Sequence, residues 1–298
     1  MKPFLSIIGL IGALFVATFL FAYGSWNFRT SSDRVESLPV VSASIFALSD
    51  IVSQVGAGVV EVQTLLPPGS SPHTFEPSPE TIKTIERSPA VFLIGHGLDT
   101  WALSLIGDSK KAVIVDRDIE LRASADTEDD GPVDPHYWLV ASNASLIAQT
   151  VSDRLIELFP HKQTDIIANT EAYQKKLEDL ESRLQNRLAP FKGKKIITFH
   201  DAWYYFSEAY GLDLIATFEP TAGREPTARS LAKLSKQLDL WNIRVLFAEP
   251  QFSIEPLKGF LTDHHARVEY LDPAEGESHP TSYIDIMDAN ARILSENL

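Results

Sequence analysis

The sequence predicts an α/β protein of two similar lobes, with mostly parallel sheets flanked by helices, joined by one long rigid helix. Residues 164–188 carry an apolar stripe at helical spacing, and no glycine or proline interrupts it between Pro160 and Pro190. On both sides of this stripe, short apolar runs alternate with amphipathic ones, which is typical of parallel sheets covered by helices. The stripe would also suit an ordinary helix of one large domain, but the repeated alternation favours a link between two lobes.

Each half of the chain is expected to contain four strand and helix pairs. In the first half, the expected strands are 40–44, 59–66, 90–94 and 112–115, and the expected helices are 45–55, 80–86, 98–106 and 141–159. In the second half, the strands are 195–199, 214–218, 244–248 and 266–271, and the helices are 202–210, 227–240, 252–261 and 283–298. This division predicts an amino-terminal lobe at 38–162, a linking helix at 163–190 and a carboxyl-terminal lobe at 191–298.

The first residues predict export from the cytoplasm. Lys2 precedes an uncharged, mostly apolar run at residues 4–23, which suits either the apolar part of a signal peptide or a membrane span. Residues 1–30 are therefore expected to be a signal peptide or an uncleaved N-terminal membrane anchor, and residues 31–37 a linker. Either alternative makes the protein periplasmic or extracytoplasmic.

The composition excludes several classes of function. The formal net charge is −14, and the chain has no basic run, so nucleic acid and anionic membrane surfaces are not expected as partners. The chain contains no cysteine, which excludes disulfides, thiolate metal sites, thiol catalysis and a lipid-modified cysteine.

Four potential metal ligands follow predicted strands, two in each half. They are His73, His136, His200 and Asp272. Ligands of open α/β sheets bind at the carboxyl ends of the strands, and three imidazoles with one carboxylate suit Zn²⁺ better than Ca²⁺ or Mg²⁺. Each residue alone would suit a surface loop or turn, and their spacing cannot show that they converge.

Five segments of the sequence carry a resemblance to a known family. They are PPGSSPHTFEPSP (67–79), DPHYW (134–138), ITFHDAWYYFSEAYGL (197–212), FAEPQFS (247–253) and YLDP (270–273). In this order they resemble the ligand segments of the metal-binding substrate-binding proteins of zinc and manganese ABC transporters, over about residues 38 to 298. The resemblance implies a metal in the cleft between the lobes, no enzymatic activity, and a membrane permease as partner.

The same resemblance implies a ligand set. Carried over position by position, it assigns His73, His136, His200 and Asp272 to the metal. In this family a histidine at the third position accompanies zinc and a carboxylate accompanies manganese, so His200 favours zinc. Imidazole is the softer ligand, which agrees with this choice.

Some residues depart from the family pattern. Residues 122–133 form a short acidic segment without the histidines that many zinc members carry there; it is expected to be a solvated loop or a weak cation-collecting surface. His96 is also expected at the end of a strand, so it is a candidate to contact a metal-binding side chain without binding the metal itself. Glu249 and Glu76 are candidates to orient a loop or a ligand histidine. Because the lipid-bearing cysteine is missing, any attachment must come from the N-terminal segment.

These observations predict a monomeric solute-binding protein that captures Zn²⁺ and delivers it to an ABC transporter permease. A manganese or mixed-metal protein of the same class is the alternative. A metal-dependent adhesin is a further hypothesis, since some relatives were first described that way. A zinc hydrolase is less favoured, because a fourth protein ligand leaves no position for water and the sequence contains no HExxH.

Overall fold

A computed structural model describes residues 37–124, 132–218, 227–275 and 282–298. The predicted targeting segment 1–30, nearly all of the linker, and most of the acidic segment lie outside these residues. Within the described ranges, no helix is both long enough and apolar enough to cross a membrane.

The amino-terminal lobe is built on a sheet of four described strands. They are β1 (Val40–Ala43), β2 (Glu61–Thr64), β3 (Val91–Leu93) and β4 (Ala112–Ile114), with helices α1 (Phe46–Val55), α2 (Pro79–Arg87), α3 (Thr100–Leu103) and α4 (Ala141–Leu158). The strands are all parallel in the order β2-β1-β3-β4. Strand β3 is buried along its whole length, whereas β2 lies at the edge and alternates between exposed and half-buried residues. This is why the central strand is continuously apolar in the sequence.

The linking helix α5 (Gln163–Leu188) has 26 residues, which corresponds to roughly 39 Å at 1.5 Å per residue. Its buried residues form one stripe along the helix: Ile166, Thr170, Tyr173, Leu177, Leu180, Leu184 and Leu188. The helix packs extensively against α4 of the amino-terminal lobe. The long helix and its apolar face are therefore as predicted.

The carboxyl-terminal lobe repeats the first architecture. Its described strands are β5 (Lys195–Thr198), β6 (Asp213–Thr217), β7 (Val245–Ala248) and β8 (Arg267–Tyr270), and its helices are α6 (Tyr204–Tyr210), α7 (Ala228–Trp241), α8 (Lys258–Asp263) and α9 (Tyr283–Asn297). The strands are again parallel, in the order β6-β5-β7-β8. Both sheets thus have the sequence order second, first, third, fourth, which confirms two similar α/β lobes.

The lobes share an apolar core on one side of their junction. Helix α9 packs against α5 and also against α1. One continuous cluster of buried side chains contains the stripe of α5 together with Val41 and Phe92 of the first lobe and Phe206 and Leu294 of the second. A second cluster lies within the carboxyl-terminal lobe, around Phe199. The buried face of the linking helix therefore lies in the middle of a core to which both lobes contribute.

Backbone hydrogen bonds also cross the junction at the start of α1. Ile45, which precedes α1, makes no side-chain capping bond. Instead, Phe46 N donates to Glu275 O at 2.8 Å and Ala47 N donates to Ala274 O at 2.8 Å. The first amides of a helix have no partner within the helix, so the carboxyl-terminal lobe supplies the acceptors that α1 lacks.

Two predicted helices differ most from expectation. The helix expected at 98–106 spans only Thr100–Leu103, because the preceding residues form a tight turn whose amides at Ile94 and Gly95 donate to the Asp99 carboxylate, at 2.7 and 2.9 Å. The helix expected at 252–261 is replaced by a 3₁₀ turn at Glu255–Leu257 followed by α8. A proline in that turn has no amide hydrogen to donate, so it suits the first turn of a helix rather than its interior.

Candidate metal centre

Three of the four predicted ligands come together at the carboxyl ends of the two sheets. His73 lies in the turn-rich segment after β2, His136 lies just before a 3₁₀ turn that leads into α4, and His200 follows β5. Among the described histidine, aspartate and glutamate residues, these three form a group whose potential ligand atoms all lie within 4.8 Å of one another. The first lobe supplies two imidazoles and the second supplies one.

The three rings lie close together in a largely buried site. The ring centroids are 5.4 Å apart for His73 and His136, 4.8 Å for His73 and His200, and 4.9 Å for His136 and His200. His136 and His200 are buried, and His73 is half-buried. Two nitrogens bound to one tetrahedral Zn²⁺ would be about 3.4 Å apart, given Zn–N bonds of about 2.0–2.1 Å. The rings are therefore close to the separation that a shared metal ion requires.

Asp134 orients His136. Its Oδ1 lies 2.9 Å from His136 Nδ1 and also accepts the His136 backbone amide at 3.0 Å. Asp134 is buried, and a guanidinium nitrogen of Arg122 lies 3.6 Å from its other oxygen. A carboxylate behind a ligand histidine fixes the tautomer and the orientation of the ring. This contact leaves Nε2 as the nitrogen of His136 that can bind a metal.

Glu249 has the same role for His200. Both Glu249 carboxylate oxygens lie 3.2 Å from His200 Nδ1, and Trp203 Nε1 donates to Oε1 at 3.1 Å. Gln251 Nε2 donates to Oε2 at 3.0 Å. The structure therefore places Glu249 where the sequence suggested, at the end of β7 and directly behind a histidine of the cluster.

Aromatic residues of the second lobe hold the Asp134 segment. Tyr205 OH donates to Asp134 O at 3.1 Å and accepts from Arg122 N at 2.7 Å. The Arg122 guanidinium carbon lies 4.0 Å from the centroid of the Tyr204 ring. Burial raises the pKa of the Tyr205 hydroxyl to about 12, so it remains a neutral donor at physiological pH. The support behind His136 thus bridges both lobes.

Asp272 is not part of the histidine group. Its Oδ1 accepts from Ala274 N at 2.7 Å, and its backbone amide donates to Asn290 Oδ1 at 2.9 Å. Its role as fourth ligand stays a prediction. His96 is also outside the group: its Nε2 lies 2.8 Å from Asp116 Oδ2, and its ring centroid is 6.3 Å from that of Tyr137.

One residue near the cluster had no sequence signature. Glu275 is buried, and its Oε1 lies 3.8 Å from His136 Nε2. It stands three residues after Asp272 with no strand or motif of its own, so only the folded turn reveals its position. Like Asp272, it lies outside the group of three histidines, although its carboxylate is near His136.

Comparison with known proteins decides the family. Residues 41–297 match the family described as ZnuA, zinc-uptake complex component A, periplasmic. The chain belongs to this family. The resemblance carried by the ligand segments is therefore confirmed, and the ZnuA family comprises substrate-binding proteins of ABC transporters rather than enzymes.

Relatives of known function include both zinc and manganese proteins. The chain is 26% identical over 287 residues to the high-affinity zinc uptake system protein ZnuA of Haemophilus ducreyi, covering 87% of this chain and 93% of the relative. It is 28% identical over 222 residues to the manganese-binding lipoprotein MntA of Halalkalibacterium halodurans, covering 73% of each. It is 26% identical over 285 residues to the metal ABC transporter substrate-binding lipoprotein SsaB of Streptococcus sanguinis, covering 91% and 92%.

The fold is also similar to solved structures of related proteins. A crystal structure of ZnuA has a TM-score of 0.78 and 27% identity, covering 88% of this chain and 99% of the other. The protein FpvC of Pseudomonas aeruginosa in complex with Mn²⁺ has a TM-score of 0.76 and 26% identity, covering 88% and 98%. The ZnuA family fold thus extends over nearly the whole described chain.

Proposed function

We propose that this protein is an extracytoplasmic solute-binding protein that captures Zn²⁺ between its lobes and delivers it to the membrane permease of an ABC transporter. The observation that carries the proposal is the group of three histidines whose ligand atoms lie within 4.8 Å of one another. Carboxylates orient two of them, which is a common arrangement behind metal-binding histidines.

The proposed ligands are His73, His136 and His200, with a carboxylate in the fourth position, for which the sequence predicts Asp272. Three imidazoles favour zinc over the harder, oxygen-preferring manganese ion. Manganese is the alternative, since the relatives include proteins named for either metal. The metal is the cargo of the protein rather than a cofactor for a reaction.

The organisation of the rest of the chain follows from this role. We assign residues 1–30 to export, as a signal peptide or an N-terminal anchor, and residues 31–37 to a linker. We assign the two lobes to 38–162 and 191–298, with the linking helix in 163–190. A monomer would suffice, because both lobes of one chain supply the ligands.

Metal competition tests this proposal. The purified protein is stripped of metal, incubated with equal concentrations of Zn²⁺ and Mn²⁺, and its bound metal is measured beside that of His200→Ala. The expected result is one equivalent of zinc, lost in the variant. Preference for manganese, or zinc retained without His200, would show that the metal or the ligand set is wrongly assigned.

A further inference from the structure

His73 lies in a segment of the first lobe that has little regular structure. Residues 67–78 lead from β2 into α2 through turns and irregular backbone. A backbone hydrogen bond from Thr74 N to Ser71 O, at 3.4 Å, closes a turn around His73. This bond joins residues within the segment, so it does not fix the segment relative to the sheet. Fixing it requires side chains that reach the rest of the lobe.

The other two histidines lie on backbone with buried hydrogen bonds of its own. His200 comes two residues after β5, and its carbonyl accepts from Thr198 Oγ1 at 2.9 Å. The amide of His136 donates to Asp134 Oδ1 at 3.0 Å, and the carbonyl of Asp134 accepts from Tyr205 OH at 3.1 Å. These bonds place both histidines on the folded chain before any metal is bound.

The aromatic ring of Phe75 connects the segment of His73 to α3. Its centroid lies 4.7 Å from a ring centroid of Trp101, with an angle of 79° between the ring planes. This edge-to-face geometry is favoured between aromatic rings. Both residues are half-buried, and both pack against the apolar core that the lobes share. The contact therefore joins the irregular segment to the body of the first lobe.

Trp101 is itself held in place by the fold. It lies in α3, and the turn before that helix is fixed by the Asp99 carboxylate, which accepts from the amides of Ile94 and Gly95. Trp101 also packs against a smaller apolar cluster that contains Val91 of β3. It therefore offers Phe75 a fixed surface rather than a mobile one.

Phe75 is close enough along the chain to control the place of His73. Only Thr74 separates the two residues, so their Cα atoms are at most about 7 Å apart. The ring centroid of His73 lies 5.4 Å from that of His136 and 4.8 Å from that of His200. Groups that bind one ligand together must be held within about 0.5 Å of their working geometry, and a displaced Phe75 would carry His73 away from the other rings.

We propose that Phe75, through its contact with Trp101, is a positioning residue for His73 in the metal site. This inference rests on the proposed function, because it assumes that the three histidines bind the metal. Asp134 and Glu249 orient the other two imidazoles by hydrogen bonds. For His73, an apolar contact two residues away holds the backbone that carries the imidazole.

Removal of the ring tests the proposal. Zinc affinity of the metal-stripped protein and of Phe75→Ala is measured by competition with a chelator. Bound Co²⁺ is examined by its visible absorption, which responds to the number and type of its ligands. Phe159→Ala is the matched control, because Phe159 is also a half-buried phenylalanine that packs against the core, and it follows α4 at the end remote from His136. Phe75→Ala is also combined with His73→Ala.

Phe75→Ala should weaken zinc binding by about 10- to 100-fold, as expected for a residue that holds a ligand in place. Its cobalt spectrum should shift toward that of His73→Ala. In the His73→Ala background, Phe75→Ala should cause no further loss of affinity, because its effect passes through His73. Phe75→Tyr keeps the ring and should bind zinc as the wild type does. Phe159→Ala should lower the thermal stability of the metal-free protein but leave zinc affinity and the cobalt spectrum unchanged.

Other results would overturn the inference. They are wild-type affinity and spectrum in Phe75→Ala, an equal loss of affinity in Phe159→Ala, and a further loss when Phe75→Ala is added to His73→Ala. If Phe75→Ala does not fold, as judged by thermal unfolding without metal, Phe75→Leu decides: it keeps an apolar side chain but loses the ring, and an unaltered cobalt spectrum refutes the assignment.

The same measurements separate this inference from the proposed function. Loss of metal in His200→Ala alongside an unaffected Phe75→Ala would refute only the role of Phe75. Retention of metal in His200→Ala would refute the proposed function itself.

Discussion

The two lobes meet along a junction whose two sides differ in chemistry. On one side, the leucine-rich stripe of α5 packs with α1, α4 and α9 in a continuous apolar core. On the other side, three imidazoles lie beside the buried carboxylates of Asp134, Glu249 and Glu275. The apolar side is held by packed side chains, whereas the polar side concentrates groups that a cation would stabilise. We therefore expect the first side to determine stability and the second to bind the metal, with only a small closure when metal binds.

The largest change in zinc affinity is expected when a histidine is removed from the polar side. His136→Ala should lower zinc affinity by more than about 100-fold, since even residues behind the ligands contribute about 10- to 100-fold. Isothermal titration of metal-free protein measures the change. His161→Ala is a suitable control, because His161 lies in a 3₁₀ turn at the start of the linking helix and should bind zinc normally. Tight binding by His136→Ala would contradict the division of roles between the two sides.

The next largest effect is a loss of stability when the apolar side is truncated. Leu184 is fully buried in the stripe of α5, so Leu184→Ala should lower the free energy of unfolding by about 2–5 kcal/mol. Zinc affinity of the folded variant should change little. Denaturant unfolding without metal gives the first value and zinc titration gives the second. Leu240→Ala, at a leucine that is 70% exposed, should change stability by less than about 0.5 kcal/mol. A large loss of zinc affinity in Leu184→Ala would show that the two sides are coupled.

Asp134→Asn tests the support behind a ligand. The variant loses the charge that faces His136 Nδ1, and zinc affinity should fall by about 10- to 100-fold. Asp288→Asn is its control, since Asp288 pairs with Arg183 at the surface and should leave affinity unchanged. Equal affinities in the two variants would mean that Asp134 serves the fold rather than the metal.

Acidification should act on the polar side. Protons compete with the metal for imidazole nitrogen, so zinc affinity should fall by at least about tenfold between pH 7.5 and pH 5. Chelator competition at each pH measures this, with correction for protonation of the chelator. An affinity that stays flat over this range would be incompatible with a site of three histidines.

The smallest effect concerns a carboxylate within the apolar side. Asp50 in α1 accepts the Tyr283 backbone amide at 3.1 Å, and burial raises its pKa. A raised pKa means that the folded state binds the proton more tightly, so ionisation of Asp50 lowers stability as pH rises through that pKa. Asp50→Asn should therefore modestly increase the free energy of unfolding at pH 7. The increase should disappear below the ordinary aspartate pKa of about 3.9. A variant that is less stable at pH 7 would mean that the charge itself is needed.

The sequence was most informative where apolar residues recur at helical spacing or where a candidate ligand directly follows a strand. The seven buried residues of α5 repeat at helical spacing, so the linking helix was predicted nearly to its ends. His73, His136 and His200 each follow a strand, and parallel sheets bring such positions to one edge. The resemblance to a family supplied what the spacing could not, namely that the two edges face each other.

Other features depended on contacts that no local pattern encodes. Asp99 holds two amides of the turn before α3, which shortens the helix that the apolar spacing favoured. Glu275 acquires its position from Gln251, which lies in another segment, and from the turn at Ala274. Hydrogen bonds made by single side chains leave no periodicity in the sequence, so they become visible only in the folded chain.

The start of α1 depends on residues that are synthesised much later than the helix itself. Its first amides are capped by carbonyls of residues 274 and 275, which lie near the opposite end of the chain and emerge late in synthesis. A nascent first lobe would hold two histidines but neither His200 nor the caps of α1. The proposed metal site therefore needs residues of both lobes, and the first lobe alone would supply only two of its three histidines.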